Sequence, residues 1–277
     1  MITTKPRLRD RVRRRIPESW RLWGDSLLGS NVRLRRLVLA ALENRREAAL
    51  INAELAASTG PWREFRTAAA TVGCSERVVE IPWVISRYSG ERRVLDVGTA
   101  FAVSTYVRRL TALGIQDLHG VDIAPVRLHG VDMAQADVRN LPYPDNHFDL
   151  ILCVSTLEHI GRGPDRFVVT DGRHYSDTPD VEALRELGRV LAAAGRLLVT
   201  VPFGRLELHP WMKQYDQESW IEATAAAGLR VVTADIYGYS GNVGWKQVID
   251  PAEVSDRTYA GMGTHGATAV MCAVLSR

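Results

Sequence analysis

Ten residues, RVLDVGTAFA at positions 93–102, constrain the fold of this chain more than any other segment. The apolar pattern up to Val97 predicts a buried strand, and the small residues after it predict a tight turn. A helix is expected to begin at about Ser104. Gly98 suits such a turn because glycine adopts backbone angles that other residues avoid and lets another group approach closely. The segment therefore predicts a main-chain loop that lies against a flat, extended ligand.

Strand and helix patterns alternate from residue 92 onward. This alternation predicts a parallel sheet whose two faces are covered by helices. The predicted strands are at 93–97, 118–122, near 132–136, 148–154, 195–201, 229–236 and 268–275. The predicted helices of this part are at 104–113, 178–193 and 217–227.

The first 88 residues have a different pattern. Residues 5–15 contain seven basic side chains and one acidic side chain, which predicts a basic arm. Helical patterns follow the arm, and Pro82 is expected to kink or interrupt the last of them. The helices predicted here are at 32–58, 62–71 and 75–88.

Composition narrows the class of protein. The chain has 277 residues, of which 46% are hydrophobic, and this is enough for a sizeable core. Cys74, Cys153 and Cys272 lie far apart, with neither metal-ligand spacing nor a disulfide framework, so we expect a cytoplasmic protein. No apolar run reaches the roughly 18 residues that a membrane-spanning helix needs. Abundant arginine and alanine with little lysine is typical of GC-rich bacterial genomes.

Four segments in a fixed order carry a resemblance to a known family. The 93–102 segment is followed by LHGVD at 118–122, ADVRNLP at 136–142 and FDLILCVS at 148–155. In this order they resemble the class I S-adenosylmethionine (SAM) methyltransferases. The sequence LPYPDNHFD at 141–149 is similar to a linker, LPFPDxxFD, that is common in one large branch of that family. The resemblance covers about residues 92–204.

The resemblance implies a fold and a cofactor. The fold is α/β, with a Rossmann-like class I methyltransferase sheet that is mostly parallel and has an antiparallel last strand, preceded by a helical N-terminal cap. The implied cofactor is S-adenosyl-L-methionine, which becomes S-adenosyl-L-homocysteine. We therefore expect a basic arm and helical cap at 1–88 and a SAM-binding domain at 89–277, with a late, glycine-rich substrate loop at about 237–266.

The resemblance also places the cofactor where the strands end, as ligands of doubly wound sheets do. Asp96 is expected to hold the ammonium group of the cofactor, and Asp122 its ribose hydroxyls. Asp132 stays open as an alternative to Asp122. Asp137 is expected to accept from the adenine amine, with Val138 covering the ring. The other expected contacts are Gly98, Thr99, Ala100, Ile123, Cys153 and Ser155.

The turn departs from the pattern of the family. Members usually have Gly-x-Gly-x-Gly, whereas this chain has Gly98, Ala100 and Ala102 at the three positions. Alanine is still small, so we expect cofactor binding to survive. A nicotinamide-binding fold is the alternative, but it requires Gly-x-Gly-x-x-Gly, and Val103 stands where its third glycine would fall.

Two histidines are candidates for the catalytic base. A hydroxyl acceptor needs a base whose pKa lies near the working pH, and histidine fits best. His159 follows the strand at 148–154, and His209 follows the strand at 195–201. His174, in a polar loop, is a weaker candidate. Each of the three also has a purely structural interpretation.

A catalytic metal is not expected. The carboxylates that could surround a divalent ion are those of Glu158, Asp171 and Asp177. However, no adjacent acidic pair follows the strands at 148–154 and 195–201. Aromatic side chains in and near the late loops leave two interpretations open: they stack on the acceptor, or they pack the helical cap onto the sheet. These aromatic residues are Trp211, Tyr215, Trp220, Tyr237, Tyr239 and Trp245.

The expected reaction is O-methylation of a small molecule, such as a sugar or a glycosylated natural product. The alternatives are N- or C-methylation of a metabolite, and a SAM-fold protein that binds without catalysis. The expected partners are a small-molecule acceptor and, since helical caps of this fold often dimerise, a second copy of the chain. No nucleic-acid partner is expected, because no Asn-Pro-Pro-Tyr-like motif for an extruded base is present. The basic arm is interpreted as solvated, as contacting an anionic partner, or as lying on a membrane surface.

Overall fold

The computed structural model describes residues 45–162, 176–261 and 266–277. Predictions that fall on the other residues lie outside the described part. These are the basic arm, residues 32–44 of the first predicted helix, the loop containing Asp171 and His174, and residues 262–265 of the late loop.

The described residues form an eight-stranded sheet, a short two-stranded hairpin and five α-helices. The helices are α1 (Arg45–Ala57), α2 (Arg77–Ile85), α3 (Ser104–Thr111), α4 (Pro179–Val190) and α5 (Gln217–Ala226). The strands are β1 (Arg93–Val97), β2 (Asp117–Asp122), β3 (Asp132–Gln135), β4 (Phe148–Val154), β5 (Leu191–Pro202), β6 (Glu207–Leu208), β7 (Lys213–Gln214), β8 (Arg230–Ser240), β9 (Gly244–Val248) and β10 (Ala269–Ser276).

The sheet has the order β3-β2-β1-β4-β5-β10-β8-β9. Strands β3, β2, β1, β4 and β5 are parallel, whereas β10 is antiparallel to both of its neighbours, β5 and β8. A mostly parallel sheet with an antiparallel last strand is therefore confirmed. Strand β9 adds a second antiparallel strand at the edge of the sheet, beside β8.

The strand order reverses at β1, which pairs with β2 on one side and with β4 on the other. Val97 lies opposite Val121 of β2 and opposite Cys153 of β4, so these strands end at the same level. Ligands of doubly wound sheets bind at such a switch point, beyond the carboxyl ends of the strands. The topology therefore directs the residues that follow β1, β2, β4 and β5 to one edge.

The late segment is not a continuous loop, and this part of the sequence prediction is wrong. Strand β8 continues to Ser240, and β9 returns from Gly244 to Val248. The turn between them is possible because Gly244 has φ 87°, and a side chain there would clash with residues 68–72. Residues 237–240 and 244–248 belong to strands whose aromatic side chains are buried, which the glycine content of the segment does not reveal.

The segment before β1 packs directly on the sheet. The helix predicted at 62–71 is reduced to a 3₁₀ turn at Ala68–Thr71. The main-chain N–H of Trp62 donates to Ser86 Oγ, which ties this segment to the residue after α2. Helix α2 is nearly all buried, and Pro82 lies inside it without ending it. No described helix is long and apolar enough to cross a membrane.

Of the two interpretations of the late aromatic residues, packing against the rest of the protein applies to most of them. Trp245 is 1% exposed, and its Nε1 donates to the carbonyl of Cys74 at 3.1 Å. The hydroxyl of Tyr239 accepts from the N–H of Gly73, and the hydroxyl of Tyr237 donates to the carbonyl of Arg63. Tyr215 and Trp220 bury their rings against each other, 5.6 Å apart. Only Trp211 is left half-buried at the carboxyl edge.

Replacing Trp245 tests whether β9 and the segment before β1 form one cooperative unit with the sheet. We expect Trp245→Ala to lower the free energy of unfolding by about 3–5 kcal/mol, because it leaves a cavity and an unpaired carbonyl. Urea unfolding followed by circular dichroism measures the change. Ile249→Ala is the control, since Ile249 is 85% exposed. Equal midpoints for the two variants would contradict this account.

Candidate active site

The turn after β1 has the predicted form. Gly98 has φ 81°, a left-handed conformation that favours glycine, and the turn continues as a 3₁₀ segment at Thr99–Phe101. A Cβ atom at Gly98 would clash with the side chain of Thr156. Thr156 Oγ1 in turn donates to the carbonyl of Val97 at 3.1 Å. The loop after β1 is therefore in contact with the loop after β4.

Asp96 lies at the end of β1 and is 1% exposed. Its Oδ1 accepts from the hydroxyl of Tyr106 at 2.6 Å, but its Oδ2 has no hydrogen-bond partner among the described residues. Burial raises the pKa of Asp96 to about 7. A buried oxygen without a partner is costly unless a ligand supplies a donor. The ammonium group of SAM would be such a donor, so the residues present fit the cofactor that the resemblance implies.

Asp122 lies at the carboxyl end of β2, as predicted. Its two oxygens accept from the main-chain N–H groups of Ala100, at 3.0 Å, and Ala124, at 2.9 Å. A carboxylate at the end of this strand is a suitable acceptor for ribose hydroxyls. Asp132 instead begins β3 opposite His119, three residues short of the level of Asp122, which is roughly 10 Å along the strand. The geometry therefore favours Asp122 over Asp132.

The expected adenine residues follow β3. Asp137 forms an ion pair with Arg139 at 2.6 Å and also accepts from the main-chain N–H of Arg139. Val138 is 6% exposed and packs in the core. Ile123 follows Asp122, and its carbonyl accepts from Gln135 Nε2 at 3.1 Å. All of these residues lie at the carboxyl edge of the sheet.

Some of the residues expected at the methionine end of the cofactor already form hydrogen bonds within the protein. Cys153 is expected to contribute through its main chain, and its side chain, which is 1% exposed, lies in the core. Thr99 is fully buried, and its hydroxyl donates to the carbonyl of Asp96 at 2.9 Å. Ser155, the first residue after β4, has φ 45° and donates its N–H to the carbonyl and the hydroxyl of Thr200 on β5.

A fully buried carboxylate joins these strand ends to α2. Glu80 Oε1 accepts from the hydroxyls of Ser155, at 2.9 Å, and Thr200, at 2.8 Å. Glu80 Oε2 pairs with Arg77 at 2.7 Å. Neither Arg77 nor Glu80 is among the site residues predicted from the sequence. Their signal was available: they are the charged members, three residues apart, of the otherwise apolar helix 77–85.

His159 lies in the short 3₁₀ turn Leu157–His159 after β4, and 46% of its side chain is exposed. Its Nδ1 lies 2.7 Å from the carbonyl oxygen of Trp211. A carbonyl only accepts, so Nδ1 carries the proton and Nε2 of the neutral ring has the free lone pair. Desolvation lowers the pKa of His159 below its ordinary value. The ring is therefore neutral at pH 7 and able to act as a base at Nε2.

His209 is brought to the same place by the hairpin of β6 and β7. Its Nε2 lies 3.1 Å from Glu207 Oε2, so Nδ1 is its free nitrogen when the ring is neutral. The rings of His159 and His209 both stack on Trp211, with centroids 6.0 Å and 5.8 Å away. The structure thus brings the two predicted histidines together around one aromatic side chain.

Two further carboxyl groups lie near Arg77. Glu158 is 3% exposed, and burial raises its pKa to about 8. Burial also raises the pKa of Glu76 to about 7. The Oε2 atoms of both residues lack hydrogen-bond partners within the described part of the chain. In residues 45–162, 176–261 and 266–277, no group of three or more His, Cys, Asp or Glu is arranged to hold a metal ion.

Known methyltransferases are similar to the part of the chain that contains these residues. Residues 95–199 match the family model of a methyltransferase domain. The ubiquinone/menaquinone biosynthesis C-methyltransferase UbiE of Azotobacter vinelandii is 35% identical over 109 residues, which is 39% of this chain and 36% of that protein. UbiE of Proteus mirabilis is 32% identical over 181 residues, which is 64% of this chain and 62% of that protein. The chain thus aligns with between about one third and two thirds of the length of these curated relatives.

One solved structure with a bound cofactor product is also similar. It is the 1,6-didemethyltoxoflavin N1-methyltransferase of Burkholderia thailandensis, which was crystallised with S-adenosylhomocysteine. It is 16% identical with a TM-score of 0.40, and the match covers 66% of this chain and 71% of that protein.

The raised pKa of Asp96 predicts a pH dependence for cofactor binding. An ammonium group binds the ionised carboxylate, so the affinity for S-adenosylhomocysteine should rise as the pH increases from 6 to 8, by up to about tenfold. Calorimetric titration at the two pH values measures it. In Asp96→Asn, binding should be weaker and nearly independent of pH over this interval. A wild-type affinity that falls with rising pH would contradict the role of Asp96.

The buried carboxyl groups also predict a pH dependence of stability. The pKa values of Asp96, Glu76 and Glu158 are raised in the folded state, so the folded protein binds more protons than the unfolded protein between about pH 4 and 8. Their contribution is therefore fully present at low pH and is lost as the pH rises, at up to about 1.4 kcal/mol per pH unit for each group. Glu158→Gln should have a shallower decline between pH 5.5 and 8 in urea unfolding. An unchanged slope would mean that Glu158 titrates normally.

Proposed function

Because residues 95–199 form a class I SAM-dependent methyltransferase domain, we propose that this chain transfers a methyl group from SAM to a hydroxyl group of a small molecule, with His159 as the base. One observation carries the assignment of the base. Thr156 packs on Gly98 of the cofactor turn, and His159 follows three residues later in the same loop. His209 comes from a separate hairpin, where its ring stacks on Trp211.

In the proposed reaction, some residues hold the cofactor and another acts on the acceptor. Asp96 and Asp122 would hold the ammonium and the ribose of SAM, and the turn from Gly98 to Ala100 would lie along it. When bound, SAM supplies a methyl group on a sulfonium, whose departure leaves a neutral thioether. Nε2 of His159 would take the proton of the acceptor hydroxyl, which frees the oxygen to receive the methyl group that SAM would supply. Alignment and exclusion of water supply the rest of the acceleration.

The acceptor side is the hairpin of β6 and β7 together with the loop after β4. Trp211 is half-buried there and presents an aromatic surface beside both histidines. Such a surface suits the apolar face of a sugar or an aromatic ring, which agrees with a sugar or a glycosylated natural product as acceptor. The division into a cap at 1–88 and a catalytic domain at 89–277, in a bacterial cytoplasm, belongs to the same proposal.

C-methylation is the second candidate. The Azotobacter and Proteus relatives are named C-methyltransferases, and their similarity lies mostly in the part of the chain that would bind the cofactor. A base that deprotonates an enol or a phenol makes the neighbouring carbon nucleophilic, so the same histidine would serve. The two candidates therefore differ in the methylated atom and not in the base.

The direct test is transfer of a ¹³C-labelled methyl group from SAM to a panel of sugars, phenols and amines, with the product position determined by NMR. A product with an O-methyl signal supports the proposal, and a C-methyl or N-methyl product contradicts it in favour of the alternatives. Tight binding of S-adenosylhomocysteine with no turnover on the panel would favour a binding protein without catalysis. Absence of binding would contradict the proposed function altogether.

Matched histidine variants test the base. His159→Gln should lower kcat by about 10²–10⁴, because general-base catalysis contributes that much, while leaving the affinity for S-adenosylhomocysteine within threefold. His209→Gln should lower kcat by less than tenfold. Steady-state kinetics on the acceptor found in the panel measures both. The reverse order of effects would assign the base to His209, and unchanged rates in both variants would exclude a histidine base.

A further inference from the structure

Arg77 lies in a buried cluster of carboxyl groups. Arg77 lies among three carboxyl groups, those of Glu80, Glu76 and Glu158, which all act on it electrostatically. Its direct partner is Glu80, whose two oxygens are fully used by Arg77, Ser155 and Thr200. The pairing of Arg77 with Glu80 leaves Glu76 and Glu158 without a cation of their own among the described side chains at this edge. Burial raises the pKa values of Glu76 and Glu158, and a cation that binds beside them would favour their ionised forms.

Glu158 is the member of this group that lies beside the proposed base. Its side chain is 3% exposed, and its Oε1 lies 3.9 Å from Nε2 of His159. Its Oε2 has no hydrogen-bond partner in the described ranges. A carboxyl oxygen that is buried without a donor costs free energy, which a donor on a ligand would recover. The carboxyl group beside the base thus has one unfilled acceptor, its Oε2.

An aromatic wall borders the same position. Trp211 stacks on His159, and the ring of Tyr259 meets Trp211 edge to face with centroids 5.2 Å apart. Tyr259 is close enough to Glu158 and Glu76 for both carboxyl groups to act on its hydroxyl. Carboxylate together with aromatic faces is the combination that recognises organic cations, since the ring faces attract positive charge. A neutral polyol would form neither a charge-assisted hydrogen bond with the carboxylate nor a cation–π contact with the rings.

We propose that the acceptor is a vicinal amino alcohol, whose ammonium group binds Glu158 while its neighbouring hydroxyl group donates to Nε2 of His159. This inference rests on the proposed function and names its substrate class. Oε1 of Glu158 lies 3.9 Å from Nε2 of His159, so the carboxyl group and the base are close enough to receive polar groups that are two carbons apart. The 2-amino sugars contain this unit. Methylation then occurs at the hydroxyl oxygen, whose proton passes to Nε2 of His159, and the ammonium group is unchanged.

The test compares three sugars that differ only at carbon 2. Glucosamine, glucose and N-acetylglucosamine are titrated into the full-length protein saturated with S-adenosylhomocysteine, and saturation-transfer NMR gives the affinities. Because a charge-assisted hydrogen bond contributes more than a neutral one, glucosamine should bind about tenfold or more tightly than the two uncharged sugars. In Glu158→Gln this preference should shrink to within threefold. Glu222→Gln, a change at an exposed position of α5, should keep the preference.

The outcomes separate this inference from the function on which it rests. Binding of S-adenosylhomocysteine with no preference for glucosamine overturns the amino alcohol site and leaves the methyltransferase proposal intact. A glucosamine preference that persists in Glu158→Gln overturns the assignment to Glu158. Failure to bind S-adenosylhomocysteine contradicts the proposed function instead. The comparison of sugars on the wild-type protein needs no variant, so it remains decisive if Glu158→Gln is poorly folded.

Discussion

The arrangement of the active site depends on one buried carboxylate. Glu80 is fully buried on α2, and a charge in that position is tolerated only with complete pairing. Its partners are Arg77 on its own helix and the hydroxyls at the ends of β4 and β5. Satisfying Glu80 therefore fixes the position of α2 and holds Ser155 in its left-handed conformation. Ser155 starts the loop that carries Glu158 and His159.

A second network positions the opposite wall. Asp180, in the first turn of α4, accepts from Lys213 Nζ and from the hydroxyl of Tyr215, both at 2.8 Å. These bonds tie β7 to α4, and the hairpin that ends in β7 carries His209 and Trp211. Because the carbonyl of Trp211 sets the tautomer of His159, a contact far along the chain decides which nitrogen of the base is free. The two networks meet at this one hydrogen bond.

Buried carboxyl groups are concentrated where the chain is expected to bind charged ligands. Asp96 and Glu158 both have raised pKa values and an oxygen without a partner among the described residues. One lies at the end of β1 and the other after β4. Perturbed carboxyl groups of this kind cluster at functional sites. In our proposals Asp96 binds the ammonium group of the cofactor and Glu158 binds the ammonium group of the acceptor.

The sequence by itself determined the parallel half of the sheet. The bounds of β1 and β4 are as predicted, and Asp96, Asp122 and Ser155 lie at the expected strand ends, because apolar periodicity and the turn at Gly98 are local properties of the chain. Only the tertiary structure decided the rest. Strand β9 depends on the burial of Trp245 against Cys74, and the cluster of Glu80, Arg77 and Glu158 brings together residues about 80 positions apart. Periodicity carries no information about such distant contacts, which arise when burial forces each charged or polar group to find a partner.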